Sequence, residues 1–211
     1  YGVPATLCLS INEAVVHGIP SARRLEEGDI ASIDCGLVLE GFFADTAYTV
    51  AVGQVSPEAA QLLRVTRESL YKGIAQSVAG NRTGDIGRAV EQHVKAYGYH
   101  VTDDYTGHGV GRHLHEEPKI YNDGKRRGER LRPGMVFAIE PMINIGTSKT
   151  CELKDGWTVV TADGSLSAHF EHTVAVTEQG PEVLTLAEGE ELPEELLAVM
   201  AANPGSGRSC G

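Results

Sequence analysis

Leu25-Glu26-Glu27-Gly28-Asp29-Ile30-Ala31-Ser32-Ile33-Asp34 and Leu131-Arg132-Pro133-Gly134-Met135-Val136-Phe137-Ala138-Ile139-Glu140 spell one phrase twice: a leucine, a glycine, two spaced branched residues and a closing acid. Each copy is followed by a second apolar strand with an acid of its own, Asp45 in the first case and Glu171 in the second. A carboxylate inside an apolar strand costs on the order of several kcal/mol unless something cationic compensates it. Four such acids in two related hairpins point to one shared cation site.

The first hairpin is legible in detail. Stretches 31–39 and 42–50 read as strands, with Glu40-Gly41 as the turn between them. An even-length loop places Asp45 opposite Gly36, and side chains alternate with period two, so Gly36 shares a face with Asp34. The two carboxylates then become diagonal neighbours, roughly 7 to 8 Å apart at the backbone and free to lean together over a metal ion. A pair of solvent-facing acids on an edge strand would give the same local pattern, but the matched second copy argues against that reading.

At 211 residues the chain fits one domain. We expect a single catalytic domain over 1–186, lacking a helical amino-terminal segment because the second half has helices before its hairpin and the first does not. The first residue is Tyr1 rather than Met, so a fragment or processed product is expected. An acidic, then small and polar stretch over 187–211 is expected to be a flexible tail, with one short helix from Pro193 to Ala202 and disorder from Asn203 to Gly211.

The balance of 18 basic against 29 acidic residues gives a net charge of −11, and the longest basic run is Lys125-Arg126-Arg127. Direct nucleic-acid binding is therefore not expected, since phosphate recognition needs clustered positive charge. A substrate with a cationic end, such as a peptide amino terminus, is electrostatically favoured. Cys8, Cys35, Cys151 and Cys210 form no C-x-x-C pair or regular framework and read as reduced thiols. With no bilayer-length apolar stretch and no leader pattern, a soluble, cytoplasmic protein without membrane contact is expected.

Ser56-Pro57-Glu58 supplies a helix start, and Ala59, Leu62, Leu63, Thr66, Leu70, Ile74 and Val78 mark one face of a helix expected to run to Gly80. A second helix is expected from Thr83 to Gly98, with Ile86, Ala89, Val90, His93 and Val94 inward. Both should pack on the sheet that the hairpins form.

Between the second helix and the second copy runs Gly107-His108-Gly109-Val110-Gly111-Arg112-His113-Leu114-His115-Glu116-Glu117-Pro118. Alternate glycines permit close backbone approach and leave His108 as the bulky group between Gly107 and Gly109. A lone histidine is usually structural. Next to four buried acids it reads as a ligand. Asp34, Asp45, His108, Glu140 and Glu171 make an oxygen-rich donor set with too many carboxylates for a structural zinc site. It suits two divalent metal ions, Mn, Fe or Co, with Zn as a further option. A pair of such ions could hold a bridging hydroxide and polarise an amide carbonyl.

At this point the chain resembles a known family. Val16-His17-Gly18-Ile19-Pro20, Ala44-Asp45-Thr46, the Gly107–Arg112 segment, His115-Glu116-Glu117-Pro118, Ile139-Glu140-Pro141-Met142, Asp155-Gly156-Trp157-Thr158 and Phe170-Glu171-His172-Thr173 are similar to motifs of the type I methionine aminopeptidases, in order from about Cys8 to Val176. The resemblance implies an α+β pita-bread fold, a pseudo-twofold curved antiparallel sheet with helices on its convex face. It implies a dinuclear-metal aminopeptidase that removes initiator methionine from peptides and nascent proteins with a small second residue, by attack of a metal-bridging hydroxide. Asp34 would bind one metal in bidentate fashion, Asp45 and Glu171 would bridge both, and His108 and Glu140 would complete the other site. Glu140 would shuttle the proton, His115 would stabilise the oxyanion, and His17 would contact the substrate amide. Cys8 and Trp157 match pocket positions for the methionine side chain. Leu114 and Val3 stand where aromatics are common, and Thr46, His172 and Thr173 would brace the ligands. The resemblance also implies a monomer working on amino termini, near the ribosome.

A proline-directed peptidase of the same fold would share the metal ligands but not the His-Gly-Ile-Pro and His-Glu-Glu-Pro contexts. A non-catalytic binding protein on the same scaffold would be expected to have lost ligands, and all five are retained here.

Overall fold

A computed structural model of the chain describes residues 4–202. Val3, Cys210 and the expected disorder of 203–211 lie outside the described residues.

Strands β1 (Cys8–Ile11) and β2 (Ala14–Val16) lead into the first hairpin, β3 (Ile30–Leu39) and β4 (Phe42–Ala51). Helices α1 (Pro57–Ile74) and α2 (Thr83–Lys95) follow. The second half comprises β5 (His100–Val101), β6 (Gly107–Gly109), β7 (Glu116–Ile120), β8 (Val136–Ile139), β9 (Met142–Asn144), β10 (Thr150–Glu152), β11 (Val159–Thr161), β12 (Ser167–His169), β13 (Glu171–Thr177) and β14 (Gly180–Val183). Helix α3 (Glu194–Ala202) ends the described chain.

The two copies of the repeated phrase lie in one sheet, each beside its own second strand. The main sheet runs β1-β3-β4-β13-β8-β6-β7, with β14 on β13, so that the first hairpin joins the second half through the β4–β13 pair. Every pairing in it is antiparallel, as the expected α+β pita-bread fold requires. Asp45 sits opposite Gly36, the register expected from the even turn. Left-handed conformations at Glu40 (φ 51°) and Gly41 (φ 81°) close that turn and match the twist of the flanking strands.

Two helices seal one face. Ser56 Oγ accepts the Ala59 N–H at 3.1 Å and Pro57 occupies the first turn of α1, as read from the sequence. Leu62, Leu70 and Ile74 of α1 and Ile86, Val90 and Val94 of α2 join Phe137, Ile139, Phe170, Val174 and Val176 of the sheet in one core. At on the order of 1.5 to 3 kcal/mol for each large apolar side chain fully buried, this layer is the main source of stability.

Helix α1 stops at Ile74, short of Gly80 and without Val78. Gln76 and Ser77 donate to Gly73 and Ile74 in tight three-residue turns, and Gly80 and Leu131 then tie this stretch to the second copy. Those bonds satisfy the helix end that the sequence had assigned to glycine. Helix α2 begins at Thr83 as expected and ends at Lys95, with Gly98 (φ 78°) beyond it.

The stretch expected to be a flexible tail is packed over its described part. Leu196 of α3 is 1 % exposed and belongs to the main core, and Lys72 of α1 pairs with Glu195. In contrast, Ile33, Leu37, Leu39, Phe42, Tyr48 and Val50, all on the face of β3–β4 opposite the acids, are exposed. Among the described residues no helix is long and apolar enough to cross a membrane.

Candidate metal centre

Strand register alone brings the acids together. Cys8, Asp34, Ala47 and Glu171 form one row across four strands, because Cys8 opposes Asp34, Asp34 opposes Ala47, and Ala47 opposes Glu171. Side chains in such a row share a face, and Asp45 joins them two residues from Ala47. On the other side, Thr173 opposes Ala138, so Glu171 and Glu140 point the same way, and the pairing of Gly109 with Phe137 puts His108 beside them. Parity thus aims Asp34, Asp45, His108, Glu140 and Glu171 into one cavity of about 470 Å³, also lined by His17, His115, Asp104, Tyr105 and Lys119.

The candidate donor atoms are close and poorly satisfied. Donor atoms of Asp45, His108 and Glu171 all lie within 4.8 Å of one another. His108 Nε2 is 3.4 Å from Glu140 Oε1 and 3.8 Å from Asp45 Oδ2. Asp45 Oδ1 and Glu171 Oε1 are buried with no hydrogen-bond partner. Burial raises every one of the four acids, most simply Asp34, to about 6. Asp45 is pushed up to about 7 by burial and then by Asp34. Glu140 and Glu171 lie well above the usual carboxylate range, again through burial first and then through neighbouring acids.

The tautomer of His108 is set by its neighbour. Nδ1 lies 3.0 Å from the Gly109 carbonyl, which can only accept, so Nδ1 carries the proton. Burial lowers the pKa of this ring, leaving a neutral imidazole whose Nε2 lone pair faces carboxylate oxygens. Lone pair against carboxylate is repulsive unless a cation lies between them. This arrangement and the orphaned acid oxygens fit a divalent ion held by oxygen and imidazole donors.

Hydrogen bonds fix the ligand strands. Thr173 Oγ1 accepts the Asp45 N–H at 2.9 Å and donates to the Asp45 carbonyl at 2.8 Å, and Thr46 Oγ1 donates to the Glu171 carbonyl. His172 faces away from the cavity, with Nδ1 2.9 Å from Thr185 Oγ1. His115 packs edge-on against His108 with ring centroids 4.2 Å apart. His17 has a left-handed backbone (φ 59°) and packs edge-on against Tyr105. The following Gly18 is required there, since a Cβ would meet the Leu9 carbonyl oxygen at 2.3 Å. Burial lowers the pKa of both His115 and His17, so each is neutral near pH 7.

The expected pocket residues are less concentrated. Cys8 stands in the Asp34 row, its thiol pushed up to about 11 by burial and by Asp34 and Asp45, but it does not line the cavity. Leu114 lies over Gly36, 3.3 Å from where a Cβ would be, and Trp157 sits in the 153–158 turn held by Asp155. Neither lines the cavity.

Sequence reading overlooked His169, Asp104, Tyr105 and Lys119. His169 is 2 % exposed, its Nε2 has no hydrogen-bond partner and lies 3.9 Å from Glu140 Oε2, and burial takes its pKa down to about 3. Its place two residues before Glu171, on the same strand parity, was an available signal. A larger cavity of about 1590 Å³ lies between α1 and the 185–196 segment. Arg67 pairs there with Glu190 and Arg64 with Glu68, so part of its acidic lining already faces guanidinium groups.

The comparisons with known proteins agree with this geometry. Residues 1–178 match metallopeptidase family M24, and the chain belongs to that family. Within it, the similarity is to methionine aminopeptidases. The chain is 52 % identical over 187 residues to the methionine aminopeptidase of Clostridium perfringens, covering 88 % of this chain and 75 % of that protein. The crystal structure of the Rickettsia prowazekii methionine aminopeptidase superposes with a TM-score of 0.85 at 45 % identity, over 87 % of this chain and 75 % of that one. Prolidase from Pyrococcus furiosus superposes with a TM-score of 0.71 at 24 % identity, over 87 % of this chain and 49 % of that one, a likeness of fold alone.

Proposed function

We propose that the chain is a metal-dependent methionyl aminopeptidase that removes the first methionine from peptides and nascent proteins with a small second residue. The observation that carries it is the convergence of four acids and a correctly protonated His108 on one cavity, with acid oxygens left for a cation to satisfy. Asp34, Asp45, His108, Glu140 and Glu171 would hold two divalent ions, Co, Mn, Fe or Zn. When bound, such ions supply Lewis acidity and make water a strong nucleophile at neutral pH.

The chain's own residues supply the rest. The acidic cavity draws in a peptide's ammonium end. Glu140, at the inner wall of the cavity, takes the proton from the attacking water and returns it to the leaving nitrogen. Neutral His115 donates an N–H to the developing oxyanion, and neutral His17 steadies the substrate amide. Cys8, Leu114 and Trp157 would border the methionine side chain. We further propose a cytoplasmic monomer acting on emerging amino termini.

Metal analysis of the protein paired with cleavage of Met-Ala-Ser and of a Xaa-Pro peptide tests the reading. Methionine release with bound Mn or Co is expected. Preferential cleavage of the Xaa-Pro peptide, or no release with metal bound, would overturn it.

A further inference from the structure

The cavity contains one Lys or Arg among its lining residues, Lys119, against seven carboxylates: Asp34, Asp45, Asp104, Glu116, Glu117, Glu140 and Glu171. Lys119 lies directly opposite His108 in the β6–β7 pairing, so its side chain leaves the sheet on the face that carries the metal centre. It is exposed, and among the described residues its side chain makes no hydrogen bond or ion pair. By contrast Lys125, on the loop after β7, is committed to Asp123 and Asp103.

We propose that Lys119 is a specificity-determining residue that reads the charge of the substrate downstream of the cleaved bond, favouring peptides with an acidic residue close behind the small second position. The proposal rests on the peptidase reading above. Two divalent ions offset the charges of Asp34, Asp45, Glu140 and Glu171, which leaves Asp104, Glu116 and Glu117 to set the potential of the outer cavity. On a chain of net charge −11, an acidic peptide would meet repulsion there at every approach. Lys119 breaks that field at one point. A peptide whose ammonium is drawn to the buried acids must run outward past the exposed side, where the lysine's flexible stem can follow a carboxylate.

The test uses the metal-loaded full chain with amidated peptides Met-Ala-Ser-Glu-Gly and Met-Ala-Ser-Lys-Gly, and Met-Ala-Ser-Gly-Gly as the neutral reference. Rates are measured alongside calorimetric Kd values for the same peptides with the first peptide bond reduced, which bind but cannot be cleaved. Lys119→Glu should shift the Glu-to-Lys preference by about three- to tenfold toward the basic peptide, in KM and Kd rather than kcat, and Lys119→Gln by a smaller amount. Added salt should compress the shift. Lys149→Glu makes the same charge change at an exposed site outside the cavity and should leave the preference as it was. An unchanged Kd preference in both Lys119 variants overturns the assignment. Absence of methionine release from the neutral peptide overturns the peptidase reading instead, while the Kd preference still decides the role of Lys119.

Discussion

Lowering the pH of the metal-free protein and titrating Mn back into it measures how tightly protons and metal compete for one cavity. Asp34 holds its proton up to about pH 6 and Asp45 up to about pH 7, and Glu140 and Glu171 are likewise raised well above the usual carboxylate range. Each bound proton must leave before its carboxylate can ligate, which weakens apparent affinity about tenfold per pH unit per proton. Treated as independent groups, Asp45 contributes about 30-fold and Asp34 about fourfold between about pH 8 and about pH 5.5, a loss of about 10² or about 3 kcal/mol. The two glutamates add to this. Calorimetry in buffers of different ionisation enthalpy reads both affinity and proton release, and Asp45→Asn should remove about one proton from the count while weakening binding.

The sign extends to stability. A carboxylate with a raised folded pKa favours the fold fully below its unfolded value of about 4, and that contribution disappears as pH rises through the folded value. For Asp34 and Asp45 the window is therefore from about 4 up to 6 and 7. Stripping the metal should destabilise the protein more at about pH 8 than at about pH 5. His17, His108, His115 and His169, with lowered values, oppose this trend by losing stability as pH falls through about 6.5. Comparing loaded with stripped protein at each pH cancels those histidines that keep the same protonation in both forms. Metal affinity that changes less than about threefold over this range, with no proton release, would refute the reasoning.

His115→Ala should leave metal affinity unchanged and lower kcat for Met-Ala-Ser by about 10² to 10³, the cost of one lost oxyanion donor; an unchanged kcat removes His115 from the mechanism. Leu196→Ala should cost about 2 to 4 kcal/mol in urea unfolding, because its side chain is buried in the main core. A loss below about 0.5 kcal/mol would return residues 187–202 to the status of a loose tail.

Much of this site was legible because its logic is local and periodic. The Glu40-Gly41 turn sets the register of β3 against β4, and period two then fixes which side of the sheet Asp34 and Asp45 occupy. The repeated phrase carries the same reasoning to Glu140 and Glu171. His108 was readable from its glycine neighbours and the acids around it. The end of α1 was less accessible, because bonds from residues 76, 77 and 80 to distant and near carbonyls replaced the glycine cap that composition suggested. Trp157 and Leu114 were placed by motif, yet the cavity wall is built by side chains of other loops.

Strand pattern, turn chemistry and the doubled acid were enough to place Asp34 and Asp45 on one face of a hairpin and to point to a shared cation site with Glu140 and Glu171, since each depends on residues a few positions apart, whereas the pita-bread fold entered through the resemblance of motifs. Only the folded chain decided that His108 presents Nε2 to the acids, that His169 lies buried beside Glu140, that Lys119 is the cavity's unpaired cation and that Leu196 closes the core. Those are properties of neighbours brought together by burial from separate strands and loops, and burial also supplies the leading cause of every raised acid in the centre.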